Sequence, residues 1–178
     1  MDESGSAEPT IDDVARTVVV VIGVSGSGKT TVGRILADRL GWSFAEADDF
    51  HSAENVAKMT AGTPLTDEDR WPWLESIRDW INTTTGNAIV TCSALRRSYR
   101  EVLRTASARV RFLHLHGSDE TLRSRLTARS DHFMSAAMLD SQLATLEPLG
   151  PDEDGVVVSI ADTPQQIADQ AAQALRIP

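Results

Sequence analysis

The stretch Gly23-Val24-Ser25-Gly26-Ser27-Gly28-Lys29-Thr30 matches G-x-x-x-x-G-K-[ST] at every defined position. Glycines let such a turn bring successive backbone N–H groups round one anion, and the helix that follows adds the partial positive charge of its N-terminus. The chemistry is phosphate binding. Gly23, Val24, Ser25, Gly26, Ser27, Gly28, Lys29, Thr30 and Thr31 form the candidate nucleotide site, with Lys29 reaching the β and γ phosphates and the Thr30 hydroxyl serving Mg²⁺, which prefers hard oxygen ligands. The same loop serves ATPases, GTPases, switches and small-molecule kinases, so the phosphate acceptor has to be read elsewhere.

A second group of reactive types lies in EADDFHSAENVAKM, Glu46 to Met59. Asp48 is a candidate general base for a hydroxyl proton, whereas Asp49, just ahead of a helix, is either a second such carboxylate or an N-cap. His51 either bonds a polyol hydroxyl or caps a local turn, and Lys58 either meets an anion or is a solvated helix residue. Further on, Arg70 follows three acids in LTDEDR; it suits a carboxylate or phosphate bidentately, or else pairs with Asp67, Glu68 or Asp69.

The elements that must position these groups alternate along the chain. TVVVVIG (Thr17 to Gly23) is a continuous β-branched run ending in glycine, as in a strand buried on both faces of a parallel sheet. Val32, Ile35, Leu36 and Leu40 then recur at helical spacing up to Gly41. A second strand is expected over Trp42 to Ala45, lying beside the first, and then a helix from Ser52 to Thr60. Another helix should have Pro72 in its first turn and Trp73, Leu74, Ile77, Trp80 and Ile81 on one face. Strands AIVTC, RVRFLHL and GVVVSI follow, each with a helix after it, beginning past Arg96, Ser118 and Thr163. This alternation predicts an α/β protein: a phosphate-loop NTPase fold of three α/β/α layers with a central parallel sheet of about five strands, its ligands gathered at the strands' carboxyl ends.

Composition narrows the class. The 178 residues suit one domain, expected over 17–178 behind a flexible tail at 1–16 that lacks the basic start and apolar middle of a signal peptide. That points to the cytoplasm. The longest apolar run, Val18 to Val24, is too short for a membrane span. A net charge of -9 argues against coating nucleic acid, so any bound anion needs a local site. Only two lysines occur, Lys29 and Lys58, against fifteen arginines. The single cysteine, Cys92, reads as a small buried thiol.

Four stretches together, GVSGSGKTT, ADDFHSAENVAKMTAGTPLTDEDRWPWL, CSALRRSYRE and HFMSAAMLDSQLATLEPL, resemble the gluconate kinase family from about Val18 to the C-terminus. The resemblance implies transfer of phosphate from ATP, with Mg²⁺, to D-gluconate to give 6-phosphogluconate, in a cytoplasmic homodimer. It carries the substrate side onto Asp48, as base, and His51, Lys58, Arg70 and Arg96. Three of these are cations, as an anionic sugar acid requires. Arg125 and Arg129 share one helical stripe with Leu122 and Leu126, a spacing that also suits snorkelling or surface pairing, and likeness to the lids of nucleoside and shikimate kinases assigns them to the phosphates. It also makes residues 125–135 a mobile lid, with His132 in the closed site. The DTPQQI loop is expected to touch adenine. Two positions depart from the family: Ser52 stands for a usual Pro and Asp131 for a frequent Gly. A kinase for another small hydroxy acid such as shikimate, and a nucleotide-dependent switch with no acceptor, are the alternatives.

Overall fold

The computed structural model describes residues 16–128 and 136–178. Its elements run β1 (Thr17–Ile22), α1 (Lys29–Leu40), β2 (Ser43–Glu46), a 3₁₀ turn (Ala47–Phe50), α2 (Ala53–Thr60), α3 (Asp67–Thr83), β3 (Ala88–Thr91), α4 (Arg97–Arg104), β4 (Arg109–His116), α5 (Asp119–Ala128), α6 (Ala136–Thr145), β5 (Gly155–Ser159) and α7 (Pro164–Leu175). The five strands form one sheet in the order β2-β3-β1-β4-β5, with every pair parallel.

β1 shows why the sheet needs two helical layers. Its side chains alternate in direction. Val19 and Val21 pack with Val32 and Leu36 of α1, Leu122 and Leu126 of α5, and Ile167 of α7. Val18, Val20 and Ile22 pack on the opposite face with Leu74, Ile77 and Ile81 of α3 and Leu103 of α4. All five β1 residues from Val18 to Ile22 are buried, and each such side chain contributes roughly 1.5–3 kcal/mol by leaving water. The predicted three-layer α/β/α fold with five parallel strands is therefore the observed one.

Two expectations are corrected. β2 does not lie beside β1, because β3 is inserted between them: Val18 to Val21 register with Ala88 to Thr91, and those same β3 residues register with Ser43 to Glu46 on their other side. The AIVT run of β3 is buried throughout and so fits the interior of the sheet, whereas β2 exposes Ser43 and belongs at the edge. Pro72 is not in the first turn of its helix. α3 starts earlier, at Asp67, where Thr66 and Asp69 form a reciprocal capping box that satisfies two end N–H groups, and Pro72 lies inside the helix.

One buried ion pair links α4 to the segment between α6 and β5. Arg100 of α4 and Glu153, ahead of β5, are both fully buried, with Nε and Nη2 donating to the carboxylate at 2.8 and 3.0 Å. Arg100 also donates to the carbonyls of Ala94 (3.0 Å) and Glu147 (3.1 Å). Burial pushes the Glu153 carboxyl up, but its bonds to Arg100 and to the Gly150 N–H outweigh this and hold it below the ordinary range. Removing one partner leaves the other charge buried and unpaired, at a cost of about 3–5 kcal/mol. Glu153→Ala is therefore expected to lose stability on that scale in urea unfolding; a loss below about 1 kcal/mol would mean that the charge finds another partner or water.

Candidate functional site

The phosphate loop lies between β1 and α1, as its spacing requires. Gly26 (φ 82°) and Gly28 (φ 90°) take left-handed backbone conformations that other residues adopt only under strain. Gly28 caps α1, so the helix's first N–H groups open onto the loop. Lys29 folds back across the turn, its Nζ donating to the carbonyls of Gly23 (3.0 Å) and Val24 (3.1 Å). Thr30 and Thr31 are exposed at the start of the helix. Ser27 is fully buried, and among the described residues its Oγ is the buried side-chain polar atom that lacks a hydrogen-bond partner. An orphaned hydroxyl within a turn of this shape is a feature a bound phosphate group would relieve.

A cavity of about 210 Å³ extends from Gly26, Gly28 and Thr31 past Arg125 to Pro164 and Ile167 at the start of α7. Arg125 Nη2 donates to the Ile160 carbonyl (2.7 Å), and Nη1 lies 3.6 Å from where a Cβ on Gly28 would stand. The arginine therefore overhangs the loop from α5. Leu122 and Leu126 of the same stripe are buried, as expected. Thr163 caps α7 with Pro164 at its first position, again as expected. Arg129, Asp131 and His132 lie outside the described residues, as does most of the lid expected at 125–135.

On the other side of β3, Asp48 projects from the 3₁₀ turn with its side chain 89% exposed. Strand register brings its turn to the same edge of the sheet as the phosphate loop: Glu46 at the end of β2 is level with Thr91 of β3, and Thr91 is level with Val21 of β1. His51 packs flat on Trp73, with ring centroids 4.3 Å apart and planes 13° from parallel, and its Nδ1 is 3.3 Å from the Asn55 amide. Burial lowers the His51 pKa, Asp48 opposes that and Arg70 adds to it, so the ring is held toward its neutral form. Ser52 caps α2 by accepting from the Asn55 N–H, which fills the role its departure from the family pattern leaves open.

The three cations named from the sequence are all paired with acids of the first turn of α3. Lys58 Nζ donates to Asp69 at 2.7 Å. That bond and those from Thr66 hold the Asp69 carboxyl down to about 2. Arg70 donates to the Leu65 carbonyl (2.8 Å) and the Tyr99 hydroxyl (3.2 Å), and lies 3.8 Å from Asp67. Arg96, at the N-cap of α4, is 3.5 Å from the other oxygen of Asp67. A larger hollow, about 520 Å³, opens beside Asn55, Trp73 and Pro72, but its charged lining is Glu54, Glu68 and Asp69. None of the candidate cations lines it, so an anionic ligand has no electrostatic reason to enter.

Some residues of the site were not picked out by sequence reasoning. Gln142 of α6 accepts from the Ser25 N–H (2.7 Å) and donates to Ser25 Oγ (3.3 Å), tying α6 to the phosphate loop. Tyr99 and Trp73 are buried members of the core that also touch site residues, Tyr99 through Arg70 and Trp73 through His51. Trp73 reads as core by its apolar spacing, whereas Tyr99 and Gln142 are marked only by lying in the family stretches CSALRRSYRE and HFMSAAMLDSQLATLEPL.

A family model described as an AAA domain matches residues 18–149. The gluconokinase of Gluconobacter oxydans is 48% identical over 155 residues, covering 85% of this chain and 87% of that protein. A crystal structure of a sugar kinase from a Janibacter species superposes with a TM-score of 0.85 at 52% identity, over 92% of this chain and 95% of the other. A gluconokinase structure from Sinorhizobium meliloti gives 0.83 at 41% identity, over 90% and 92%. No helix among the described residues is long and apolar enough to cross a membrane.

Cys92 is buried, and burial pushes its thiol up to about 12. At pH 8 only roughly one thiol in ten thousand would be ionised, so folded protein is expected to resist alkylation that goes to completion in denaturant. Rapid labelling of the native chain would show that the end of β3 opens to solvent.

Proposed function

The chain belongs to the gluconokinase family, and we propose that it transfers the γ-phosphate of ATP to D-gluconate, giving 6-phospho-D-gluconate and ADP. The observation that supports this reading is the strand register, which brings a complete phosphate loop after β1 and the turn with Asp48 after β2 to the same carboxyl edge of the sheet on either side of β3. A kinase for an anionic polyol needs both halves: fixed donors for the phosphates, and cations for the acceptor's carboxylate.

In this reading residues Gly23 to Thr31 bind the nucleotide phosphates, and the cavity walled by Pro164 and Ile167 takes the adenine end. Thr30 would hold Mg²⁺, which keeps further oxygen ligands from phosphate and water and offsets charge on the transferring group. Lys29 and Arg125 supply positive charge to the same group, and Arg129 and His132 belong to the site by family likeness. Asp48 takes the proton from the acceptor hydroxyl as its oxygen attacks the γ-phosphorus. The bond to the bridging oxygen breaks, and ADP leaves with the electron pair. What supports Asp48 in this role is its exposed carboxylate at the end of β2. Arg70, Arg96 and Lys58 meet the carboxylate of gluconate, and His51 meets a hydroxyl. The division into a tail at 1–16 and a domain at 17–178 and the cytoplasmic location, which rest on length and composition, belong to the same reading, as do the lid at 125–135 and the homodimer, which rest on likeness to known kinases.

ADP release from Mg-ATP is expected to rise strongly with gluconate and not with shikimate. Stimulation by shikimate instead would move the acceptor, and nucleotide binding with no acceptor response would leave a switch. Asp48→Asn is expected to lower turnover about 10²-fold or more, the scale of general-base catalysis, while nucleotide affinity changes less than about threefold. Unchanged turnover would remove Asp48 as the base.

A further inference from the structure

Arg70 and Arg96 come from different elements, the first turn of α3 and the N-cap of α4, and two guanidinium groups repel one another. Asp67 lies between them. Its Oδ2 is 3.5 Å from Arg96 Nη1 and its Oδ1 is 3.8 Å from Arg70 Nη1. Both distances exceed the 2.7–3.2 Å of an ordinary N–H···O hydrogen bond, so the pairing is electrostatic and does not use up the arginines' N–H groups. The short bond that Asp67 makes is to Tyr99, whose hydroxyl donates to Oδ1 at 2.5 Å.

Tyr99 is itself immobilised. It is buried, stands edge-on to Trp71 at 5.7 Å, and carries the Arg70 guanidinium 5.4 Å from its ring centre. Arg70 makes its hydrogen bonds, to Leu65 and Tyr99, through Nη1, and among the described residues neither its Nη2 nor its Nε is engaged. Arg96 makes no side-chain hydrogen bond there at all, only the 3.5 Å pair. The arrangement gathers two forks and leaves most of their donors unspent.

We propose that Asp67 is a positioning residue for the anionic end of the acceptor: pinned by the buried Tyr99 hydroxyl, its carboxylate holds Arg70 and Arg96 converged so that their remaining N–H groups take the acceptor's carboxylate. This rests on the reading of the acceptor as a sugar acid. It assigns Asp67 no contact with the reacting atoms. Loss of Asp67 weakens acceptor binding by letting the arginines separate, and leaves the phosphate side intact.

The test compares wild type, Asp67→Ala and Asp67→Asn with gluconate as acceptor. For Asp67→Ala, KM for gluconate is expected to rise tenfold or more, kcat to stay within about threefold, and ATP affinity to be unchanged, a split that general loosening of the fold would not produce. Asp67→Asn still accepts from Tyr99 but lacks the charge, and its KM should fall between the two. An unchanged or lowered KM in Asp67→Ala would overturn the proposal, the lowered value marking Asp67 as a competitor of the acceptor. Because Tyr99 is the only tyrosine in the chain, its titration, followed by tyrosinate absorbance, reads the same contact without any acceptor. Burial and then Asp67 raise the Tyr99 pKa, so Asp67→Ala should titrate at lower pH than wild type. An unmoved titration would also overturn the proposal. If wild type ignores gluconate while the titration shifts, the acceptor assignment fails and the Asp67–Tyr99 clamp stands.

Discussion

The buried Arg100–Glu153 pair is the constraint on which the carboxyl-end loops depend. A guanidinium with no exposure has to satisfy its donors inside the protein, and Arg100 does so on Glu153 and on carbonyls from two separate loops. One loop follows β3 and includes Ala94, held at φ 38° although it is not glycine. Such a backbone persists only where its surroundings over-determine it, and the bond from Arg100 to the Ala94 carbonyl is part of that. Two residues later the loop delivers Arg96. The other loop follows α6, where the Glu147 N–H donates to Leu95 at 2.7 Å. This fixes the end of α6, and α6 in turn bonds Ser25 through Gln142. A single satisfied charge thus orients one cation of the acceptor side and a support of the phosphate loop.

Electrostatics on the two sides are arranged differently. Round the phosphate loop the positive groups are backbone N–H groups at a helix start, Lys29 folded onto the Gly23 and Val24 carbonyls, and Arg125 held on the Ile160 carbonyl. On the acceptor side every candidate cation is already paired, with Asp67 or Asp69. In a chain of net charge -9 the acids confine positive potential to the places where it is used. Under the proposed reading, an acceptor carboxylate joins or exchanges with existing partners, and the long Asp67 distances favour joining.

Much of this was legible in residue types and spacing. The loop motif, the buried β1 run, the αL glycine after α1, the Thr163-Pro164 start of α7 and the Leu122/Leu126 stripe are all local patterns, and the structure contains each of them. The order of the strands was not legible, because β2 and β3 are both short runs and their places depend on which can be buried on both faces. The start of α3 was misread because Pro72 is a strong helix-start signal, whereas the capping box at Thr66 outweighs it. For Arg70 the sequence left open a ligand contact or an ion pair with a neighbour. The structure has the ion pair, and in an arrangement that keeps donors available.

What the sequence by itself determined is whatever lies within a few consecutive residues: the phosphate loop's turn, its charge, and the ends of its helices. Eight contiguous residues carry that geometry, and backbone conformation is dictated largely by the residues that adopt it. The tertiary structure decided the rest. Tyr99 meets Arg70 across 29 positions, Arg100 meets Glu153 across 53, and Gln142 meets Ser25 across 117. No local pattern encodes such pairings, since they depend on which face each helix buries and on the strand order that brings those faces together.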